Sequence, residues 1–108
     1  GAGVWISGIK IQNFSSVNNA TFDVTFNPDP DSISKVTGSK TGITLEPGKA
    51  TELYFGGLSL DGGATLPVGW KGSAVIKGTG GTEQLVATVI HTNYGRHVAN
   101  MYTGVPFP

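Results

Sequence analysis

Strict alternation of apolar and polar side chains between residues 20 and 26 is the feature that most restricts the fold. The stretch runs Ala20-Thr21-Phe22-Asp23-Val24-Thr25-Phe26, with every second residue apolar. Because successive side chains of a strand point to opposite faces, this pattern predicts a strand with one face in a core and the other in water. Apolar residues at the i, i+3, i+4 and i+7 spacing of a helix are not sustained over successive turns anywhere in the chain. The chain is therefore predicted to be all-β.

Further strands are predicted where runs rich in β-branched residues lie between glycine and proline residues that indicate turns. They cover residues 4–13 (with a break at Ser7-Gly8), 42–46, 50–55, 72–77, 83–92 and 97–105. Pro47-Gly48 suits a type II turn, so the strands on either side of it are predicted to pair as a hairpin. The run at residues 83–92 is predicted to be a central strand. About seven antiparallel strands without crossover helices predict one Ig-like, Greek-key β-sandwich over residues 1–108.

Composition removes several classes of partner and site. The seven basic residues are scattered and are balanced by seven acidic ones, whereas nucleic-acid binding relies on a clustered basic surface. The absence of cysteine excludes disulfides, thiolate nucleophiles and cysteine-ligated zinc. No apolar run reaches the roughly 20 residues that a membrane-spanning helix needs. We therefore expect neither a nucleic-acid partner nor a membrane span.

The sequence contains no recognisable arrangement of catalytic residues. His91 and His97 are the only histidines, and neither lies in a nucleophile signature. A serine or threonine nucleophile needs a histidine beside it that a carboxylate orients. The two histidines would face each other if the intervening turn forms a hairpin, but two imidazoles without a third ligand make a weak zinc site. The chain is not expected to be an enzyme, and no catalytic residue is assigned.

Two other kinds of site remain open at this stage. Asp29 and Asp31 stand among prolines in one loop, where a calcium ion is an alternative to local turn hydrogen bonds. Apart from that calcium ion, no cofactor is expected. A covalent crosslink between Lys10 and Asn100 is conceivable if the first and last strands are neighbours. Alternation with its flanking isoleucines turns Lys10 away from the core, which favours a solvated lysine instead.

Aromatic residues give the main candidates for ligand binding. Sandwich modules that bind carbohydrate stack sugar rings on exposed aromatic side chains, and Tyr54, Trp70 and Tyr94 are the candidates in this chain. Tyr94 stands in an Asn-Tyr-Gly turn and is predicted to be exposed. Trp70 follows a Pro-Val-Gly turn, where burial against the core is the alternative.

Two glycosylation triplets flank one predicted turn. They are Asn13-Phe14-Ser15 and Asn19-Ala20-Thr21, so Asn13 and Asn19 are candidate acceptors of an N-linked glycan.

Both termini offer segments for contact with neighbours. Residues 1–7 form a possible N-terminal arm in which Val4, Trp5 and Ile6 are apolar, and such an arm can pair with the open sheet edge of another subunit. The alternative is that these residues belong to the domain's own first strand. Residues 105–108, Val-Pro-Phe-Pro, are predicted to be a stiff linker or a tail.

A series of segments carries a family resemblance. They are Ile11-Gln12-Asn13-Phe14, Leu45-Glu46-Pro47-Gly48, Tyr54-Phe55, the run from Pro67 to Ile76, Leu85-Val86-Ala87-Thr88-Val89 and Tyr102-Thr103-Gly104. In order and spacing they resemble an Ig-like repeat module of cell-surface and secreted proteins of filamentous bacteria of the Chloroflexi type. The resemblance implies a β-sandwich that often occurs in tandem and has no enzymatic activity.

The expected function follows from these points together. We expect a non-catalytic structural or adhesive module of an extracellular or cell-surface assembly, either a tandem-repeat bead or a filament subunit. Its partners would be neighbouring copies or domains of the same assembly. The alternative is a module that binds carbohydrate or another surface ligand.

Overall fold

Seven strands dominate the computed structural model, which describes residues 5–93 and 96–101 and the side chains of residues 7–90. In chain order they are β1 (Trp5–Asn13), β2 (Ala20–Pro28), β3 (Gly38–Leu45), β4 (Ala50–Tyr54), β5 (Gly72–Gly78), β6 (Leu85–Asn93) and β7 (Arg96–Met101). A 3-10 turn covers Asp61–Gly63. Within these described ranges, no helix has the length and apolar character needed to cross a membrane.

The strands form two antiparallel sheets. One sheet has the order β4-β1-β6-β7 and the other the order β3-β2-β5. Four of the six connections between these strands pass from one sheet to the other. The predicted all-β sandwich of about seven antiparallel strands is confirmed. The predicted central position of the strand at residues 83–92 is also confirmed, because β6 lies between β1 and β7.

The alternating stretch forms the centre of the core as its pattern predicts. β2 lies between β3 and β5, and the side chains of Phe22, Val24 and Phe26 are fully buried. Ile9 and Ile11 approach from β1 in the other sheet and belong to the same apolar cluster. Each fully buried side chain of this size contributes roughly 1.5–3 kcal/mol relative to exposure. This burial fixes which face of each strand is turned inward.

The hairpin predicted around Pro47-Gly48 is wrong. Gly48 does adopt a positive φ of 77°, as the turn prediction requires. However, the strands on either side of the turn belong to different sheets, since β3 pairs with β2 and β4 pairs with β1. Gly48 N donates to the carbonyl of Asn13 (3.0 Å), so the turn attaches to the end of β1 while the chain crosses between the sheets.

The N-terminal residues pair within their own domain. Trp5 is opposite Thr92 of β6, and Ile6 is opposite His91. The break predicted at Ser7-Gly8 is a register shift between Ile6 and Gly8, so β1 continues through it as one strand. The three described residues of the predicted arm, Trp5, Ile6 and Ser7, therefore belong to the first strand of the domain, and Val4 lies outside the described residues.

The predicted C-terminal strand is present in the described residues. β7 covers Arg96–Met101 and overlaps the strand predicted at residues 97–105. Residues 102–105 and the predicted linker or tail at residues 105–108 lie outside the described part of the chain.

Three short turns form one end of the sandwich, which we call the upper end. They are residues 14–19 after β1, 46–49 after β3 and 79–84 after β5. Backbone hydrogen bonds join them, from Asn13 N to Lys49 O (2.9 Å) and from Phe14 N to Gln84 O (2.7 Å). Because these connections are short, they place β1 across from β2, β3 across from β4, and β5 across from β6.

The two longer loops, residues 29–37 after β2 and 55–71 after β4, form the opposite, lower end. Asp29 N donates to Lys71 O (2.9 Å), and Lys71 N donates to Ser32 Oγ (3.0 Å), so the two loops are held together. The second loop also sends apolar side chains into the core, namely Phe55, Leu60, Leu66 and Trp70.

Candidate functional site

The three predicted sugar-stacking residues have different outcomes. Tyr54 at the end of β4 is 53% exposed. Trp70 is only 3% exposed, and Tyr94 lies outside the described residues. Of the two whose side chains the structure describes, only Tyr54 can therefore contact a ligand in water.

Tyr54 lies on the outer face of the four-stranded sheet, where its neighbours leave the surface flat. Gly8 lies directly opposite it on β1, and a Cβ on Gly8 would come within 3.2 Å of the Tyr54 ring and 2.8 Å of Leu53 O. On its other side Gly8 is opposite Ile90 of β6. Gly8 itself is buried, so the apolar row on this face consists of the exposed Tyr54 ring, the glycine beneath its edge and the half-buried Ile90. This row could not be predicted from the sequence, because it depends on the pairing of three strands.

A polar row follows immediately above the apolar one. Lys10 is opposite Glu52 on one side and Thr88 on the other. Lys10 and Glu52 are both exposed. An apolar strip beside hydrogen-bonding groups is the usual composition of a surface that stacks a sugar ring.

Trp70 is a core residue, which corrects its assignment as a ligand-binding residue. Its ring packs edge-to-face on Phe55 (centroids 5.6 Å apart) and Phe26 (6.4 Å). Its Nε1–H donates to the carbonyl of Val36 at 2.8 Å. Gly72 lies against the ring so closely that a Cβ there would come within 2.3 Å of it. Packing on every side leaves no face of the indole for a ligand.

The loop proposed to bind calcium is organised by a lysine. The ammonium group of Lys35 donates to the carbonyl oxygens of Asp29 (3.4 Å), Pro30 (2.7 Å) and Ser32 (2.5 Å). A cation at this loop would need the same carbonyl oxygens, since calcium takes clustered oxygen ligands. The lysine therefore takes up carbonyl oxygens that a calcium ion at Asp29 and Asp31 could also use, and calcium binding stays a prediction.

Asp31 is likewise engaged by a basic side chain. Its Oδ2 lies 3.2 Å from the Nζ of Lys71. The hydrogen bond and the positive charge of Lys71 hold the pKa of Asp31 below its ordinary value. Among the side chains of residues 7–90, no group of three or more histidine, cysteine, aspartate or glutamate residues is placed to hold a metal ion.

Strand pairing separates the residues of two other predicted sites. The hairpin between β6 and β7 does form, but its register pairs His91 with Val98 and His97 with Thr92, so the histidines are not opposite each other. Lys10 on β1 and Asn100 on β7 are not neighbours either, because β6 lies between their strands. The geometry required for a two-histidine metal site or for the crosslink is absent from these strands.

Asn13 is fully buried and structural, which corrects its assignment as a glycan acceptor. Its Nδ2 donates to the carbonyls of Asn18 (2.7 Å) and Leu45 (3.0 Å), and its Oδ1 accepts from Ser15 N (2.9 Å). A transferase cannot reach this amide in the folded domain. Asn19, the acceptor of the second triplet, is exposed.

Glu83 stabilises the turn between β5 and β6. It is 8% exposed, and its Oε2 accepts a hydrogen bond from Gly80 N at 2.7 Å. Burial raises the pKa of Glu83, but hydrogen bonds from the backbone of its own residue and of residues 80–82 outweigh this and hold the pKa below its ordinary value of 4.5. A Cβ on Gly78 would lie 2.5 Å from Oε1, so the glycine is needed for the carboxylate to fit.

Large apolar side chains are exposed at both ends of the sandwich. At the upper end Phe14 is 61% exposed and Val17 is 77% exposed. At the lower end Ile33 is 98% exposed and Val68 is 88% exposed. Phe14 N donates to Gln84 O in the neighbouring turn, and Ser32, next to Ile33, accepts a hydrogen bond from Lys71 N, so the loops that carry these side chains are joined to their neighbours. Apolar side chains on loops fixed in this way can bury surface on contact with a partner without a large ordering cost.

No protein-family model, curated protein or solved structure matches the chain. The resemblance to the bacterial repeat module therefore stays a prediction from the sequence.

Proposed function

We propose that this domain is a non-catalytic structural module of an extracellular or cell-surface assembly, acting as a tandem-repeat bead or filament subunit whose partners are neighbouring copies. The observation that supports this proposal is the pair of apolar ends. Phe14 and Val17 are exposed at one end, and Ile33 and Val68 at the other. Two different apolar ends favour head-to-tail contact, in which the upper end of one copy meets the lower end of the next.

The buried polar groups are consistent with a structural role. Asn13 and Ser15 hold the turn after β1, and Glu83 holds the turn after β5. Ser32 accepts a hydrogen bond from Lys71 N and so joins the two loops of the lower end. In each case the hydrogen bonds of the side chain maintain loop shape. Extracellular placement rests on the resemblance of the sequence to surface and secreted modules.

Head-to-tail contact can be tested with variants blocked at one end. Phe14→Ser with Val17→Ser blocks the upper end, and Ile33→Ser with Val68→Ser blocks the lower end. We expect sedimentation velocity to show chain growth of the wild type with concentration. Each blocked variant alone should stay monomeric, with association weakened at least about 100-fold, because each of the two apolar side chains that it lacks contributes roughly 1.5–3 kcal/mol when buried.

An equimolar mixture of the two blocked variants is the decisive sample. One free upper end and one free lower end remain, so the mixture should form dimers and nothing larger. Val75→Ser, which replaces an exposed valine away from both ends, is the matched control and should associate like the wild type. A wild type that stays monomeric at millimolar concentration would contradict the proposal, and so would a blocked variant that still forms long chains.

Carbohydrate binding is the second candidate function, and the row formed by Tyr54, Gly8 and Ile90 favours it. The exposed tyrosine ring lies over the bare glycine backbone, and polar side chains border it. Calorimetric titration with soluble oligosaccharides of glucose, xylose and N-acetylglucosamine tests this candidate. Tyr54→Ala should weaken binding about tenfold, which corresponds to the roughly 1.4 kcal/mol that one stacked ring supplies.

Phe14→Ala is the matched control for the sugar experiment. It removes an aromatic side chain of comparable exposure (61%) that lies at the upper end, away from Tyr54. Its affinity should equal that of the wild type. An equal loss in both variants, or no binding of any of the three sugars by the wild type, counts against a stacking site at Tyr54.

A further inference from the structure

Glu83 is the only charged side chain that is buried among residues 7–90. It lies near the end of the turn after β5, and its two carboxylate oxygens have different surroundings. Oε2 accepts a hydrogen bond from Gly80 N at 2.7 Å. Oε1 is enclosed and has no hydrogen-bond partner in the part of the chain that the structure describes. Buried polar atoms are nearly always hydrogen-bonded, so this unpartnered oxygen needs an explanation.

The backbone of the turn is shaped around this carboxylate. A Cβ on Gly78 would lie 2.5 Å from Oε1, and a Cβ on Gly80 would lie 2.6 Å from Oε2, so only glycine leaves room for the two oxygens. Thr79, between the glycines, is bound to β2 because its N–H donates to Thr21 O at 3.0 Å. The carboxylate and β2 thus fix the turn together.

A proton on either oxygen would weaken the hydrogen bonds of the turn. On Oε2 the proton would meet the N–H of Gly80, and that hydrogen bond would be lost. On Oε1 it would leave the N–H groups of residues 80–83 bonded to a neutral acid, whose oxygens are weaker acceptors than those of a carboxylate. In both cases the closed turn is more stable with the ionised side chain.

The charged groups on the surrounding elements do not govern the titration of Glu83. They are Lys77 of β5, Asp23 of β2, Lys10 of β1, and Glu46 and Lys49 of the turn 46–49. Residues 14–19 and 84–90 carry none. The main causes are burial, which raises the pKa of Glu83, and the backbone hydrogen bonds of residues 80–83, which outweigh burial and lower it.

The direction of this pKa shift gives the pH at which the turn loses its support. Folding holds the pKa of Glu83 below its ordinary value of 4.5. A carboxylate whose pKa is lowered by folding stabilises the folded form fully above its ordinary pKa, and this stabilisation is lost as the pH falls through the lowered one. The turn should therefore be closed at neutral pH and open in acid.

The same turn holds the backbone of the upper apolar end. Gln84, next to Glu83, accepts a hydrogen bond through its carbonyl from Phe14 N at 2.7 Å. Phe14 and Val17 carry the exposed apolar surface of this end. An open turn no longer holds this carbonyl in place, so the loop that carries Phe14 has to be ordered again on contact. That ordering cost weakens association.

We propose that Glu83 makes the end contact acid-sensitive: protonation opens the turn after β5, frees the backbone of Phe14 and so releases the neighbouring copy. This inference rests on the proposed head-to-tail contact, whose upper side is formed by Phe14 and Val17. At the lower end, none of the described side chains is a buried carboxylate, so the turn after β5 should open before the lower loops do.

Amide hydrogen exchange of the wild type tests the opening of the turn. Protection factors, which compare each amide with an unstructured peptide at the same pH, are followed from about pH 7 to about pH 2.5. Those of Gly80 and Phe14 should fall at least about tenfold, with a midpoint below 4.5. The amide of Leu66, which donates to Leu58 O (2.8 Å) at the lower end, is the internal control and should stay protected.

Two results of the exchange experiment would overturn the proposal. One is constant protection of Gly80 in acid, because the turn would then stay closed. The other is a fall in the protection of Leu66 at the same midpoint, because the whole domain would then unfold.

Sedimentation velocity tests the effect on association. We expect chain growth of the wild type at neutral pH and association at least about tenfold weaker below the pKa of Glu83. Glu83→Gln removes the charge and keeps the size of the side chain, so its association should be weak already at neutral pH and should not change further in acid. Glu46→Gln, which neutralises an exposed carboxylate at the same end, is the matched control and should behave like the wild type.

The outcomes separate this inference from the proposed function. A wild type that associates equally well at both pH values overturns the acid-sensitive contact and leaves head-to-tail contact standing, and so does a Glu83→Gln protein that loses association in acid as the wild type does. A wild type that is monomeric at neutral pH contradicts head-to-tail contact itself. The exchange of Gly80 then still decides whether the turn opens, and it also decides if Glu83→Gln does not fold, because it is measured on the wild type.

Discussion

Replacing Trp70 with alanine should lower the free energy of unfolding by about 3–5 kcal/mol, the range for removing a large aromatic side chain from a core. The indole is 3% exposed and packs edge-to-face on Phe26 and Phe55. The substitution leaves a cavity among these rings and removes the hydrogen bond to Val36 O. Denaturant unfolding at equilibrium measures the loss as a shift of the midpoint at constant slope.

Two further variants separate packing from hydrogen bonding at this position. Trp70→Phe keeps an aromatic ring but leaves Val36 O without its donor, so we expect a smaller loss of about 1–3 kcal/mol. Tyr54→Ala, the matched change at an exposed aromatic residue, should cost less than about 1 kcal/mol. Equal losses for Trp70→Ala and Tyr54→Ala would place Trp70 at the surface and restore it as a ligand-binding candidate.

Asn13→Ala should lower the free energy of unfolding by about 3 kcal/mol, since three hydrogen bonds are lost and each contributes about 1 kcal/mol. The amide of Asn13 connects the turn after β1 with the end of β3 through its bonds to Asn18 O and Leu45 O. It also accepts from Ser15 N. Without it, the carbonyl of Leu45 and the N–H of Ser15 each lose a buried hydrogen bond. Thermal unfolding should show the same loss as a lowered midpoint.

Asn19→Ala is the matched control, because it changes the same residue type in the neighbouring triplet. Asn19 is exposed, so its replacement should change stability by no more than about 0.5 kcal/mol. Asn13→Asp adds a second comparison: it keeps the acceptor for Ser15 N but turns a carboxylate oxygen toward two carbonyls. It should be at least as destabilising as Asn13→Ala at neutral pH. A stable Asn13→Ala protein would show that the amide is not needed for the turn.

Pro47-Gly48 shows that turn residues can predict a turn without predicting which strands pair. The sequence correctly identified a turn there, and Gly48 has the positive φ that the turn type requires. Turn residues specify a local reversal of the chain but not whether the flanking strands share a sheet. That choice followed from Leu53 pairing beside Ile9 on β1, where both side chains enter the core. Such a pairing joins residues that are far apart in sequence.

The candidate sites show the same limit. Tyr54 could be selected from the sequence as an aromatic residue, but its flat surroundings depend on Gly8 and Ile90 from two other strands. Lys35 was not selected at all, although its ammonium holds the carbonyls of the loop assigned to calcium. Residue type indicates what chemistry a side chain offers. Which neighbouring groups already bond to that side chain is known only from the folded structure.

By itself, the sequence determined the all-β class, the inward face of β2 and the central position of the strand at residues 83–92. These depend on the period-two pattern, which is local because each peptide unit turns its side chain to the opposite face from the one before. Only the tertiary structure decided that Trp70 and Asn13 are buried and that Tyr54 is exposed. Burial and pairing depend on which distant segments meet, and no local pattern contains that information.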